Sequence, residues 1–534
     1  MQILAIGGSG HDYSFCYLKN GKIIRAIEEE RLSREKHARG IRSKLFKGIE
    51  YCLHGLTSID DLDIIITNNI CDIGPIKEKH YIHNIVTINH HLAHAASSYY
   101  SSGFDDAAFV VIDGHGSIYH QYDKNPKTEI LSSGYINRDK INFIETKYGS
   151  FKHTFTPSLG SFYDALTNAC GFGFNCEGKT MGLSSYGKPV YLTELMKHID
   201  YDKHIFCNES LVELMHGIIH KDNTDIFQTK ANLAASGQSI LELFVYKLLN
   251  ELYEKTKCPR LCLAGGVALN SVMNGKIKKH TPFKDVFIFP AANDGGTAIG
   301  AAYYAYYQLG KNKYRDTEQI KHVYYGKSYD DDSVKKSIQK YGNQISYKTY
   351  VYSDLINVTA QLIADDKIVG WFQGGSEAGP RALGNRSIIA NPSNRDMKDI
   401  LNSRVKFREA FRPFAPAVLK EKVHDYFDTE YPDNPFMLYI CNVKKSKINE
   451  IPAVVHVDGT ARFQTVGIDN NKKFYDLINA FYRIKGVPIV LNTSLNIKGN
   501  PIAETPVDAI ECLLNSKMDC LIIENYLIGK NETK

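Results

Sequence analysis

Short apolar runs alternate with polar turns from the first residue. "QILAIGG" reads as a strand, "SGHD" as a polar bend, "YSFCYL" as a second strand, Asn20-Gly21 as a tight turn and "KIIRAIEEE" as a third strand. A helical pattern near 43–53 follows, then strand "LDIIITN", an Ala-rich helix opening in "HHLAHAASS", and strand "AAFVVIDGHG". Two further strands run into helices through small residues, "LCLAGGVALNS" around Gly265 and Gly266 and "VFIFPAANDGGTAIGAAYYAYY" around Asp294. Alternation of this kind, continuing to about Gln308, predicts α/β layers. The free N–H groups at such strand-to-helix joints can face an anion, so the two joints and the first polar loop together predict a nucleotide cleft.

The stretch 309–322, "LGKNKYRDTEQIKH", is polar and poor in branched apolar residues, and a domain boundary is expected between about 326 and 353. The domains so defined are 1–345 and 346–534, the second opening with "QLIADDKIVGWFQG" as helix then strand. No internal repeat or low-complexity tract stands out. A length of 534 residues exceeds what one core organises, so two domains agree with the size.

Composition narrows the class. With 43% hydrophobic and 23% charged residues the chain is neither disordered nor of a membrane class. A net charge of +5 is too small for a broad nucleic-acid or membrane surface, so anion chemistry has to be local. The first apolar run is too short for a signal segment, and a cytoplasmic protein is expected. Eleven cysteines without a C-x-x-C pair argue against a disulfide framework and a thiolate zinc site.

Two patterns carry chemistry. In a helix, His90 and His94 stand one turn apart on one face, where two imidazoles can share a divalent cation with a carboxylate from elsewhere. A pair with no third ligand is more often a partly buried, hydrogen-bonded surface feature than a metal site. In the second domain, Arg381, Arg386, Arg395, Lys398, Arg404, Lys406, Arg408 and Arg412 face only Asp396, Asp399 and Glu409, and rigid turns such as "EAGP" and "FRPFAP" separate them. Guanidinium groups on rigid supports recognise phosphate or carboxylate with two parallel hydrogen bonds. A strand expected to end at Leu491 then offers the amides and hydroxyls of Asn492, Thr493, Ser494 and Asn496.

In order along the chain, "GSGHDYS", "EEERLSREKH", "HHLAHAASS", "EGKTMGLSSYG", "AGGVALNS", "NDGG", "GPRALGNRSIIA", "VKFREAFRPFAPAVL", "HVDGTARFQTV" and "LNTSLNIKGNPI" resemble the motifs of the O-carbamoyltransferases of antibiotic and nodulation-factor biosynthesis. The resemblance implies an α/β protein with an actin-like (ASKHA) N-terminal domain and a C-terminal α/β domain similar to threonylcarbamoyl-adenylate synthase. It implies that carbamoyl phosphate and ATP, as co-substrates, yield carbamoyl adenylate, from which the carbamoyl group passes to a hydroxyl of a small-molecule acceptor. A divalent metal, iron in the first place with manganese or zinc as the other choices, is implied at His90, His94, Asp113 and Asp294. These ligand types alone do not select the metal. His91, between the ligands, is expected to be structural.

Carbamoyl phosphate is expected at Arg381, Lys406, Arg412, Arg462, Asn492 and Ser494, the nucleotide at Gly265, Gly266 and Asn270, and the adenylate at Lys36 in the first domain. His11, whose imidazole titrates near neutral pH, is the expected general base. Loops 123–156 and 200–228 are expected to line the acceptor pocket, and the relatives point to a homodimer. Rival readings are threonylcarbamoyl-type tRNA modification and a non-catalytic ATP-binding regulatory module. The first needs a broad tRNA footprint that the charge does not offer.

Overall fold

The computed structural model describes residues 1–38, 47–74, 76–77, 84–119, 126–138, 140–150, 156–221, 225–312 and 318–531. The first four residues of the helix expected near 43–53 lie outside them, as do 123–125, 139, 151–155 and 222–224 of the expected acceptor loops. The chain forms two compact units, one of Met1–Ala26 and Arg39–Ile320, the other of Ile27–Ala38 and Lys321–Lys534.

The first unit holds two sheets. β1 (Gln2–Gly7), β2 (Ser14–Lys19), β3 (Lys22–Glu28), β4 (Ile64–Asn68) and β5 (Val86–Ile88) lie in the order β3-β2-β1-β4-β5. β1 is antiparallel to β2 and parallel to β4, and β4 is parallel to β5. The Asn-Gly turn after β2 has φ of 50° at Asn20 and 80° at Gly21, the left-handed pair a two-residue hairpin requires. The second sheet contains β6 (Asp106–Ile112), β7 (Ile118–Tyr119), β8 (Lys127–Asn137), β9 (Lys140–Ser150), β10 (Arg260–Ala264) and β11 (Asp285–Ile288), with β9 and β6 flanking β8 and then β10 and β11 beyond β6. Here β6 is antiparallel to β8 and parallel to β10, and β10 is parallel to β11.

The two sheets therefore repeat one strand order and one set of directions, the duplicated arrangement of an actin-like domain. The residue pattern hid this repeat, because the connection from the third strand to the fourth runs only from Glu28 to Ile64 in the first copy but from Ser150 to Arg260, with several helices, in the second. In each copy a helix follows the fifth strand, His90–Ser102 after β5 and Thr297–Tyr304 after β11. The two helices pack so closely that a Cβ on Gly300 would stand 1.8 Å from the carbonyl oxygen of Ala93.

The second unit is also α/β. Its strands are β12 (Ile345–Thr349), β13 (Val369–Phe372), β14 (Arg386–Ala390), β15 (Ala415–Leu419), β16 (Phe427–Asp428), β17 (Cys441–Val443), β18 (Thr460–Ala461), β19 (Gln464–Val466), β20 (Ile489–Ser494), β21 (Cys520–Ile523) and β22 (Tyr526–Lys530). The main sheet runs β12-β22-β21-β13-β14-β20-β15-β19, and β16, β17 and β18 form a small one. The core of this unit includes Val334, Ile338 and Ile345 beside the buried Trp371. For that reason the division falls at 320/321 and not at 345/346.

Four local expectations change. β3 stops at Glu28 and Glu29–Ser33 is helical, and β20 continues past Leu491 to Ser494. The described parts of 123–156 form mainly the β8–β9 hairpin, and those of 200–228 are dominated by helix Glu209–Lys221, so neither is an open loop. The segment Ile27–Ala38 joins the second unit, where Arg31 donates to the Gly379 carbonyl (2.7 Å) and Arg34 to the Ile502 carbonyl (2.8 Å). Lys36 goes with it, exposed to solvent, and so is not part of the first unit.

Gly300→Ala is expected to destabilise the protein by about 1–3 kcal/mol through overpacking of the helix pair. Urea unfolding measures this, and an unchanged midpoint would mean that the two helices do not meet at Ala93.

Candidate metal centre and anion site

Pairing geometry brings the four implied ligands together. Asp113 sits one residue beyond the end of β6 and Asp294 six beyond β11, while His90 and His94 stand in the first turns of the helix after β5. The helix begins there because the Asn89 side chain accepts from the Leu92 N–H at 2.8 Å and caps it. Nε2 of His90 is 3.5 Å from both Asp113 Oδ2 and Asp294 Oδ1, Nε2 of His94 is 3.2 and 3.5 Å from the same atoms, and the two Nε2 atoms are 3.1 Å apart. Donors about 2.0–2.2 Å from one shared ion stand about 3.0–3.5 Å from each other, so the separations fit a cation.

The remaining carboxylate atoms are held by the protein. Asp113 Oδ1 accepts from the backbone N–H of Gly114 (2.8 Å) and Gly266 (3.3 Å), leaving Oδ2 buried without a hydrogen-bond donor and facing the imidazoles. Asp294 Oδ2 accepts from the Ser9 hydroxyl. Burial and the neighbouring Asp294 push Asp113 up, but the His90 and His94 imidazoles beside it reverse this and leave its carboxyl below the usual range. Asp294 is likewise held low against burial by His90. For His90, burial lowers the pKa and the two carboxylates raise it, to about 9. His91 is different: burial and the adjacent His90 hold it well below its ordinary value, and its Nδ1 lies 2.7 Å from the Ser132 hydroxyl.

The first polar loop reaches the same centre. Ser9 Oγ, bound to Asp294, is 3.4 Å from His11 Nε2, and His11 Nδ1 is 3.1 Å from Asp12 Oδ2. Burial lowers the His11 pKa, while Asp12, Asp294 and Asp113 raise it further, to about 9. Ser9 went unnoticed in the residue pattern, since a serine in a glycine turn looks like turn chemistry alone. The same holds for His115, in the loop after β6, which burial holds low.

Gly265 has φ of 88° and a Cβ there would stand 2.2 Å from the Ile112 carbonyl oxygen, so the glycine is needed for packing against β6. Gly266 orients Asp113, as above. Asn270 caps a short helix by accepting from the Met273 N–H (3.0 Å) and exchanges hydrogen bonds with Gln238 (2.9 and 3.1 Å).

In the second unit the expected cations do converge. Arg381, Arg408, Arg412 and Arg462 lie close enough to depress one another: burial and Arg412 lower Arg381 to about 10 and Arg408 to about 9, and burial with Arg381 holds Arg462 well below its ordinary value. The Nε–H groups of Arg381 and Arg462 are buried with no acceptor among the described residues. Buried donors without partners, on groups that repel each other, call for an anion. Asn492 is adjacent: its Nδ2 donates to the Ala382 carbonyl (3.2 Å) and Gln464 Oε1 (2.9 Å), and its Oδ1 is buried without a donor.

Lys406 and Ser494 behave otherwise. The Lys406 ammonium donates to the Ser494 carbonyl, to Ser494 Oγ (3.3 Å) and to both Asn496 oxygens (3.0 and 2.8 Å), so its donors are taken up within the protein. Arg386, counted in the basic run, is fully buried and stacked on Phe372 at 3.5 Å with its guanidinium donating to backbone carbonyls. It supports the fold. Arg408 and His456 are additions: His456, whose neutral form is favoured by burial and which titrates at about 4, lies near Arg462. Its place in "HVDGTARF" was the available signal.

Sequence comparison gives this geometry a family. The profile of the carbamoyltransferase N-terminus matches residues 2–74 and 70–303, and that of the carbamoyltransferase C-terminus matches 360–530. Nodulation protein NolNO of Sinorhizobium fredii is 34% identical over 97% of this chain and 79% of its own length. An uncharacterized protein of Synechocystis, sll1178, is 32% identical over 99% of this chain and 96% of its own. Among solved structures, full-length HypF in its phosphate- and nucleotide-bound form aligns at 17% identity with a TM-score of 0.37, over 57% of this chain and 55% of that one, a likeness too slight to carry weight. The chain belongs to the carbamoyltransferase family, and it is an enzyme of that class. Among the described residues, no helix is long and apolar enough to cross a membrane.

Replacing His94 by Ala is expected to abolish stoichiometric binding of Fe2+, Mn2+ or Zn2+, read by elemental analysis after dialysis. Full metal content in that variant would remove the four-residue centre from consideration.

Proposed function

We propose that the protein is an ATP-dependent O-carbamoyltransferase, which makes carbamoyl adenylate from carbamoyl phosphate and ATP and transfers the carbamoyl group to a hydroxyl of a small molecule. The observation that carries this reading is the presence, in one carbamoyltransferase chain, of two sites of opposite chemistry. One is an acid–imidazole cluster suited to a cation; the other is a buried arginine cluster with donors that lack acceptors.

At the arginine cluster, the Nε–H groups of Arg381 and Arg462 would bind the phosphate of carbamoyl phosphate, with Arg408 and Arg412 adding charge. An anion there relieves the mutual repulsion that lowers Arg381 and Arg408, so binding and proper ionisation reinforce each other. Attack of one water on carbamoyl phosphate would give carbamate and orthophosphate, and attack of the carbamate oxygen on the α-phosphate of ATP would then release pyrophosphate and leave a mixed anhydride whose leaving group is AMP. Beyond that one water, solvent has to be excluded, because the carbamate decomposes and the carbamoyl adenylate hydrolyses.

At the first unit's centre, a divalent cation bound by His90, His94, Asp113 and Asp294 supplies charge neutralisation for an anionic leaving phosphate. His11 would take the proton of the acceptor hydroxyl as its oxygen attacks the carbamoyl carbon and the bond to AMP breaks. An imidazole raised to about 9 by Asp12, Asp294 and Asp113 is charged at neutral pH, and a bound cation would offset the Asp294 and Asp113 charges and so favour the neutral imidazole that a base requires. Ser9, between Asp294 and His11, would hold the imidazole at that carboxylate. Iron ahead of manganese or zinc as the cation, and a cytoplasmic homodimer, are further parts of the reading.

The test is formation of AMP and pyrophosphate from ATP that requires carbamoyl phosphate, with candidate alcohols then screened for the mass of one added carbamoyl group. Carbamoyl-phosphate-independent turnover would sink the proposal. Arg462→Ala is expected to lower kcat/KM for carbamoyl phosphate by at least about 100-fold, the scale of a lost buried charge-assisted contact. His11→Ala should still form pyrophosphate but transfer at least about 100-fold more slowly, and transfer at the parent rate would exclude it as the base.

A further inference from the structure

Glu129 on β8 is a buried carboxylate, 3% exposed, outside the ligand set and outside the motifs that mark the family. Its Oε1 accepts from Asn89 Nδ2 (2.8 Å) and the Tyr119 hydroxyl (3.1 Å), and its Oε2 accepts from the Ser117 backbone N–H (3.2 Å). Its backbone pairs with the same loop, Gly116 N–H donating to the Glu129 carbonyl (2.7 Å) and Glu129 N–H to the Ser117 carbonyl (3.0 Å). Two elements that bear ligands meet at this one side chain. Asn89 is the N-cap of the helix that presents His90 and His94, and Ser117 ends the loop that leaves Asp113.

The connection continues to the ligand itself. Asn89 Nδ2 also donates to Ser117 Oγ (2.9 Å), and the His90 backbone N–H lies 3.2 Å from both Ser117 Oγ and Asn69 Oδ1. Ser117 Oγ in turn donates to Asn69 Oδ1 at 2.8 Å. On the inner side, His91 Nδ1 is 3.9 Å from Glu129 Oε2, and a Cβ on Gly116 would fall 2.5 Å from His91 Nε2, so loop, helix and strand leave little play.

We infer that Glu129 is a positioning residue for the metal centre: by accepting from the helix cap and from the Asp113 loop together, it sets the distance between the histidine pair and Asp113. The inference rests on the reading of His90, His94, Asp113 and Asp294 as a cation site. The carboxylate is matched to this task because it only accepts. A glutamine in its place would turn an NH2 toward the Ser117 N–H or toward Asn89 Nδ2, donor against donor, while keeping the side chain's size. The loop then loses its tie to the helix cap without a cavity being made. Groups of this kind, one bond removed from the ligands, typically alter metal affinity 10–100-fold.

The experiment titrates the full-length chain with Mn2+ alone, counting free ion by its EPR signal, and follows thermal unfolding with and without Mn2+. The parent should bind about one ion and melt higher with it. Glu129→Gln should bind Mn2+ about 10–100-fold more weakly while its metal-free melting temperature stays close to the parent's. Tyr119→Phe, which removes only a half-exposed donor, should bind as the parent does. Parent affinity in Glu129→Gln overturns the inference, as does a fall in its metal-free melting temperature that accounts for the weaker binding. If the parent itself fails to bind Mn2+, Fe2+ or Zn2+, the cation-site reading falls first and takes the inference with it.

Discussion

Everything in the first unit turns on two aspartates buried beside two imidazoles. Carboxylates at such separations repel, and burial alone would protonate at least one of them. They stay ionised because the His90 and His94 imidazoles stand 3.2–3.5 Å from both, and because backbone N–H groups and Ser9 satisfy the outward oxygens. The fold is arranged around keeping that charge. The duplicated strand order delivers Asp113 from the end of one central strand, Asp294 from the end of an outer one, and both histidines from the helix that follows the matching outer strand in the other copy. Close contact of the two helices at Gly300 and Ala93 sets how near these elements come.

The second unit poses the opposite electrostatic problem. Four arginines share one region with few carboxylates to balance them, and burial makes their charge costly. Lys406 shows how the protein handles a cation that is not presented to a ligand, surrounding it with four oxygens from Ser494 and Asn496. Arg386 is treated the same way, with carbonyl oxygens and an aromatic face. The Arg386 Nε–H is itself without an acceptor among the described residues, so what sets Arg381 and Arg462 apart is the neighbouring arginines, whose charge together with burial holds both below their ordinary values.

Much of this was legible in the residues. Strands β1, β2, β4, β10, β11 and β13 follow from apolar runs bounded by turns, and the helical spacing of His90 and His94 already placed both on one face. The resemblance supplied Asp113 and Asp294 as ligands, and it added Arg462 to the arginines that the basic run from 381 to 412 had already marked. Other features were not visible, for physical reasons. A strand-order repeat leaves no periodicity when its connections differ so much in length. The domain boundary was drawn late because 321–345 is polar on its surface, while the apolar Val334 and Ile338 that tie it to the second core are widely spaced. Ser9 and Glu129 act through contacts across 285 and 40 positions of sequence, which composition and spacing cannot register.

The excursion Ile27–Ala38 has a consequence for how the protein is made. These residues belong to a unit whose other part begins at Lys321, so residues 39–320 must be synthesised before their partners exist. At about 5–20 residues per second, the strap bearing Arg31 and Arg34 waits on the order of tens of seconds for the carbonyls it will bind. The early segment of the nascent chain is thus committed to the half of the molecule that emerges last. A ribosome-bound chain stopped before Lys321 would carry that arginine-bearing strap with its acceptors still untranslated.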